Sequence, residues 1–261
     1  MKIFISPPFG NLIGSICRYK PNVIPVVGSY TLYRRSGLVS QILKTVRYDT
    51  VNDGVLNRIG LRNAGILYGL KHYNRVIQKN TRAVLSIGIV DAEDMPSLIS
   101  IIPPETNLEF NIACPNVSPF NNSNPFAGGS NQLDKMMSFG LGEFASQIQN
   151  IEKPPYRIIK MQHNMRMDYV ERLHRCGFKQ FHCSNSMLTV SGALSGPSLR
   201  QTNLMTIENM DRRFCGELEI IGGGGIQTVK HIEQYRWAGA EHISIGTALL
   251  NPFRAYELVN C

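Results

Sequence analysis

Short apolar, β-branched runs recur along this chain, each followed by a polar or glycine-containing turn and then by a segment of helical period. Alternation of this kind puts strands side by side in parallel and leaves the helices outside to cover them. The runs predict strands at Lys2–Ser6, Val23–Ser29, Ala83–Ile89, Leu108–Ile112, Arg157–Met161, Gln180–Cys183, Leu218–Gly222 and His242–Ile245. Helices are expected at Asn63–Lys79, Ala92–Ile101, Gln132–Gln149, Met167–Cys176, Leu204–Phe214, Thr228–Ala238 and Pro252–Val259. Eight such strands in 261 residues fit an α/β fold of the (β/α)8 barrel type, one domain over 1–261. The stretch from Phe9 to Asn22 is short for a first barrel helix, so that layer is expected to be abbreviated.

Composition narrows the class. A hydrophobic fraction of 43% with 18% charged residues is that of a soluble globular protein, and no apolar run approaches the ~20 residues of a membrane span. Met1–Pro8 reads as a first strand, too short in its apolar part for a secretory signal. The six cysteines form no C-x-x-C pair, which leaves no basis for a zinc knuckle, an iron–sulfur cluster or a thioredoxin motif. Reduced thiols in the cytoplasm are the expectation. The formal charge of +8 is spread over short basic doublets such as Arg34-Arg35 and Arg212-Arg213. A solvated surface explains these as well as a nucleic-acid stripe does, so no nucleic-acid partner is expected.

The chemistry gathers at strand ends, where barrels keep their sites. After Asn107-Leu108-Glu109-Phe110 comes Asn111-Ile112-Ala113-Cys114-Pro115-Asn116. Its carboxamides both donate and accept, which suits a flat ligand with in-plane carbonyl and N–H groups, and a thiol beside them can exchange a proton. An Asn/Pro turn with an inert cysteine is the other reading of this segment. Gly222-Gly223-Gly224-Gly225 runs from a strand into a helix, and Ser244-Ile245-Gly246-Thr247 repeats the pattern one unit later. Glycines let backbone N–H groups crowd a phosphate, and in barrels the loops after strands 7 and 8 hold one. Lys160 closes the buried strand Arg157-Ile158-Ile159-Lys160, a costly place for an ammonium without an anion, unless it snorkels to the surface. Asn57-Arg58-Ile59-Gly60-Leu61-Arg62-Asn63 and Cys183-Ser184-Asn185-Ser186 add small polar side chains, each also readable as a turn or helix cap. Together they predict an amide-rich, almost carboxylate-free pocket. The loop 118–130, full of Asn, Pro and Gly, is placed to act as a lid.

From about Ile24 to Leu250 these motifs, in this order, resemble those of the dihydroorotate dehydrogenases. Asn57–Asn63 is similar to the family's N-x-x-G-L-x-N and Asn111–Asn116 to its N-x-S-C-P-N, with Cys114 in place as in the soluble class 1 enzymes. Ile159-Lys160, Asn185-Ser186, Gly192–Gly196, Gly224-Gly225-Ile226 and Gly246-Thr247-Ala248 complete the set. The resemblance implies an FMN-containing barrel that oxidises dihydroorotate to orotate in pyrimidine biosynthesis. Cys114 would take the C5 proton while hydride leaves C6 for flavin N5. Asn57, Gly60, Leu61, Asn111, Asn116, Asn185 and Ser186 would hold the pyrimidine. Ser29, Asn111, Lys160 and Gly196 would face the flavin, and Gly224, Gly225, Gly246 and Thr247 its phosphate. Members of the simplest class are homodimers that pass electrons to fumarate, with no metal.

Two departures mark a divergent member. The family carries a lysine at the end of its second strand, where Val26-Val27-Gly28-Ser29 has Gly28, and Ala113 stands for the usual serine. Neither Arg34 nor Arg35 has the offset of the lost lysine, although a loop could return one. Loss of that cation is expected to weaken an anionic substrate by about 1.5–3 kcal/mol. Two rival readings stand beside the first: a flavin barrel acting on RNA pyrimidines, of the dihydrouridine synthase kind, and a degenerate homologue that keeps only flavin or fold.

Overall fold

The computed structural model describes residues 1–13, 20–78, 82–112, 114, 134–149, 151–152, 155–162, 165–183 and 185–261. Its strands in chain order are β1 (Ile3–Ile5), β2 (Val23–Tyr30), β3 (Arg47–Asp49), β4 (Gly54–Asn57), β5 (Val84–Gly88), β6 (Leu108–Asn111), β7 (Arg157–Met161), β8 (Gln180–Cys183), β9 (Met187–Thr189), β10 (Gly192–Ser195), β11 (Glu219–Gly223) and β12 (His242–Ile245). The helices are α1 (Phe9–Ile13), α2 (Leu38–Thr45), α3 (Ile66–Ile77), α4 (Met95–Ile101), α5 (Leu141–Ser146), α6 (Met167–Arg175), α7 (Arg200–Phe214), α8 (Val229–Trp237) and α9 (Pro252–Asn260). Eight strands close a parallel barrel in the order β1-β12-β11-β8-β7-β6-β5-β2, the (β/α)8 architecture expected from the alternation. Residues 14–19, most of the rest of the first layer expected to be abbreviated, lie outside the described residues.

Period-two alternation divides the barrel strands between two cores. Outward side chains such as Ile3, Ile5, Leu85, Phe110, Ile159 and Ile243 pack under the helices in one large cluster. Phe4, Ile24, Val26, Val84, Ile158 and Ile221 form a second, small apolar cluster inside the barrel. One step further along the strands the inward positions become polar: Ser86 on β5, Glu109 on β6, Lys160 on β7, His182 on β8 and Ser244 on β12, every one buried. The barrel is thus plugged by hydrocarbon below and carries a buried polar layer towards its C-terminal mouth.

Two insertions cross that mouth. The chain leaving β2 makes α2, β3 and β4 before α3, and the chain leaving β8 makes β9 and β10 before α7. They meet as an antiparallel four-stranded sheet, β3-β4-β10-β9, with Asn57 opposite Ala193. Neither this sheet nor α2 follows from the apolar rhythm, because β3 is largely exposed and α2 buries none of its residues. Several helices also begin elsewhere than expected, among them α4 at Met95, after a 3-10 turn over Ala92–Asp94, and α5 at Leu141, after a turn that interrupts the helix expected over Gln132–Gln149. α3 starts at Ile66 because Asn63 and Gly65 are spent on a turn, the Asn63 Oδ1 accepting from Gly65 N at 2.8 Å. α7 starts at Arg200, upstream of its apolar pattern, since its first turn is largely solvent-facing. Among the described residues no helix is long and apolar enough to cross a membrane.

Candidate active site

The amides at the strand ends converge. Asn111 closes β6, and its Oδ1 accepts from Asn185 Nδ2 at 2.6 Å while its Nδ2 donates to Ser29 Oγ at 3.4 Å. Asn185 lies just past β8, anchored by a bond from its backbone N–H to the Met161 carbonyl, and its side chain accepts from Ser186 N at 3.1 Å. Lys160 stands beside Asn111 in the β6–β7 register. Ser29, Asn111, Lys160, Asn185 and Ser186 are therefore one constellation. Cys114 is half-buried, a short step beyond the end of β6. Asn116 and the expected lid 118–130 lie outside the described residues.

A second wall comes from the loop after β4. Asn57 ends that strand, with its Nδ2 donating to the Ala193 carbonyl at 3.4 Å. Asn63 holds the loop in shape by donating to the Leu61 carbonyl at 2.5 Å and accepting from Thr31 N at 3.2 Å. Gly60 and Leu61 both take positive φ, +69° and +50°. For leucine this is a strained conformation that surrounding structure must impose. The Leu61 side chain reaches over the end of β5, where a Cβ on Gly88 would come within 2.6 Å of it.

The two glycine segments end the neighbouring strands β11 and β12. Gly224 and Gly225 have φ of +92° and +72°, and Gly225 packs so closely on Gly196 that a Cβ would sit 2.9 Å from its carbonyl oxygen. Tyr235 Oη donates to the carbonyls of Gly223 and Gly224 at 2.9 and 2.7 Å, and Asn203 Nδ2 donates to that of Gly223 at 2.9 Å. Those carbonyls are thereby held in the core. The amides of Gly224, Gly225, Gly246 and Thr247 find no acceptor among the described residues. Unspent N–H groups at two neighbouring strand ends, beside the N-terminus of α8, are what a phosphate monoester requires.

Beneath the amides of the pocket expected to be almost carboxylate-free lies one buried carboxylate, Glu109. Glu109 is buried, with Oε2 2.7 Å from His182 Nδ1, Oε1 accepting from Ser86 Oγ at 2.8 Å, and Lys160 Nζ 3.8 Å from Oε1. Burial pushes the Glu109 carboxyl up, but the Lys160 ammonium and the hydrogen bonds from His182 and Ser86 more than reverse this and bring it to about 2. Burial, and then the Lys160 charge, hold His182 below the ordinary imidazole value against the pull of Glu109. The layer is thus an ionised carboxylate, an ammonium and a neutral imidazole. A charged residue inside the apolar run Leu108–Asn111, two positions before Asn111 and so on the same face, was the available signal for Glu109.

Gly28 is more than a missing side chain. Its φ is +131°, and a Cβ there would lie 2.4 Å from the Ser86 carbonyl oxygen. Asn11 brackets the peptide, donating to the Gly28 carbonyl at 3.0 Å and accepting from its N–H at 2.7 Å. Of the arginines downstream, Arg34 is exposed, whereas Arg35 is half-buried and its Nε donates to the Gly60 carbonyl at 3.1 Å.

A parallel barrel whose C-terminal mouth gathers a buried lysine, paired amides and unspent backbone N–H groups defines an α/β-barrel enzyme. The family model described as dihydroorotate dehydrogenase matches residues 22–259, and the chain belongs to that family of oxidoreductases. It is 27% identical over 241 residues to the dihydroorotate dehydrogenase B (NAD(+)) catalytic subunit of Desulforamulus reducens, covering 82% of this chain and 73% of that one. The corresponding subunit of Oceanobacillus iheyensis is 25% identical over 236 residues, covering 83% and 74%. Among solved structures, the Eimeria tenella enzyme in complex with ferulenol superposes with a TM-score of 0.78 at 17% identity, covering all of this chain and 80% of that one. Its ligand-free form gives 0.73 at 18%, over 92% and 76%.

Proposed function

We propose that this chain oxidises dihydroorotate to orotate, holding FMN at the barrel mouth and using Cys114 as the base. The observation that carries the reading is the Asn185–Asn111–Ser29 chain of amide and hydroxyl groups, in register with Lys160. Gly224, Gly225, Gly246 and Thr247 hold the phosphate through their unspent amides. Gly196, Ser29, Asn111 and Lys160 would hold the flavin ring, and the Lys160 ammonium would offset negative charge that the ring carries when reduced. When bound, FMN supplies the acceptor for the hydride that leaves C6. Asn57, Gly60, Leu61, Asn111, Asn116, Asn185 and Ser186 hold the pyrimidine, whose amide groups match carboxamides donor for acceptor. Cys114 removes the C5 proton, which requires its thiolate form. The Arg35 guanidinium, drawn to Gly60, supplies positive charge near the carboxylate in place of the absent strand-2 lysine.

An absorbance spectrum before and after anaerobic dihydroorotate tests the reading. Purified protein should carry FMN that bleaches on adding substrate. Cys114→Ala should keep the flavin and slow the bleaching about 100-fold or more. Wild-type kinetics in that variant would exclude Cys114 as the base, and flavin that never bleaches would leave a degenerate homologue. The comparisons do not favour the RNA-directed alternative. For the second half-reaction, the relatives' names favour NAD+ and a further subunit over the homodimer and fumarate implied by the simplest class. Reoxidation by fumarate alone would reverse that preference.

A further inference from the structure

A buried lysine needs a counterion, yet a counterion that seizes its N–H groups leaves none for a ligand. A charge-assisted N–H···O bond closes to about 2.7–2.9 Å. Lys160 Nζ stays 3.8 Å from Glu109 Oε1, so the two are coupled by charge but not joined by a hydrogen bond. The reason lies on the other side of the carboxylate. His182 Nδ1 takes Oε2 at 2.7 Å, and Ser86 Oγ takes Oε1 at 2.8 Å. Among the described residues, the groups that face this carboxylate with charge or a titratable proton are Lys160 from β7 and His182 from β8, and both are buried. Room for the imidazole comes from Gly223, where a Cβ would stand 3.2 Å from His182 Nε2.

The same carboxylate orders the amides above it. An ionised carboxylate only accepts. Ser86 must therefore donate to Glu109 and accept from Ser29 Oγ, 2.8 Å away. Ser29 then accepts from Asn111 Nδ2, and Asn111 Oδ1 accepts from Asn185 Nδ2. Every donor along Asn185, Asn111, Ser29 and Ser86 points towards Glu109, and His182 is held as the Nδ1–H tautomer.

We propose that His182 and Ser86 are positioning residues that pin Glu109, so that the hydrogen-bond donors of Lys160 stay unspent and turned over to the flavin ring. The proposal rests on the flavin reading above and concerns residues outside its contact set. Without the pin, the carboxylate swings onto the ammonium and draws it off the ring, which leaves reduced flavin less stabilised.

Two measurements test this. In flavin-free protein, proton NMR should show a low-field Nδ1–H resonance from His182 that shifts in Glu109→Gln; its absence overturns the pin whether or not FMN binds. In FMN-loaded protein, equilibration with a reference dye should move about tenfold towards oxidised flavin in His182→Leu, about 30 mV for a two-electron couple. Ser86→Ala, a small change that leaves the imidazole in place, should move it the same way. His182→Asn, which keeps an N–H donor to Glu109, should restore the wild-type value. On a Lys160→Met background, His182→Leu should add nothing. Unchanged potentials in both His182→Leu and Ser86→Ala overturn the proposal, as does a shift that persists without Lys160. Should His182→Leu fail to fold, Ser86→Ala decides alone. Wild-type protein that takes up no FMN refutes the flavin reading instead, with the imidazole resonance still deciding the pin.

Discussion

Gly28 offers the sharpest test of how this site differs from its family. If the strand-2 lysine were simply absent, Gly28→Lys should restore a charge-assisted hydrogen bond worth about 1.5–3 kcal/mol and tighten orotate roughly 10- to 150-fold. The structure predicts the opposite. At φ +131° a side chain is strained, and its Cβ would lie 2.4 Å from the Ser86 carbonyl oxygen, a backbone atom of the neighbouring strand that cannot turn aside. Strain of this kind costs about 1–3 kcal/mol, and forcing atoms into packed space about 1–3 more. A total near 4 kcal/mol lowers the melting temperature by roughly 8–16 °C at this chain length. Gly28→Ala should lose nearly as much, because the penalty arises at Cβ and not at the ammonium. Thermal melts followed by circular dichroism, with orotate titrations on both variants, supply the assay. Gly28→Lys melting with wild type and binding orotate tenfold tighter would refute the argument.

Two further outcomes follow from buried charge, alongside the Cys114 and His182 tests above. Glu109, at about 2, and His182, held below the ordinary imidazole value, each bind fewer protons folded than unfolded. Stability should therefore fall with acidification, first below about pH 6.5 through His182, then from about 4.5 towards 2 through Glu109. Melting temperatures across this range check it, and a flat profile would contradict it. At the opposite end of the barrel Arg157 is buried and donates to the carbonyls of Pro104, Thr106, Phe144 and Tyr156. Arg157→Met strands those acceptors and should cost about 3–5 kcal/mol in urea unfolding; a loss below about 1 kcal/mol would show that they find other donors.

The barrel was open to reading because a parallel sheet covered on both faces makes its strands near-continuous apolar runs. Arg157–Met161, Gln180–Cys183 and His242–Ile245 coincide with their expected bounds. The four-stranded sheet was not, since β3 and β9 are short and partly exposed, and the pairing that joins the two insertions, β4 with β10, sets Asn57 against Ala193 from far along the chain. The glycine cradle and the converging amides were visible as residue types at strand ends. Ser86, Glu109 and His182 were visible only as polar letters within apolar runs.

What the chain alone determined is therefore the alternation, the buried lysine and the amide and glycine segments that end its strands. Whether Glu109 faced the barrel axis or a helix was decided by register, because a one-residue slip turns every side chain of a strand to the other face. Closure then brought Ser86, Glu109, Lys160 and His182 from four strands onto one level, at hydrogen-bond and ion-pair distances. The same closure set the Ser86 carbonyl against Gly28, so a lost lysine became a position that no side chain can occupy.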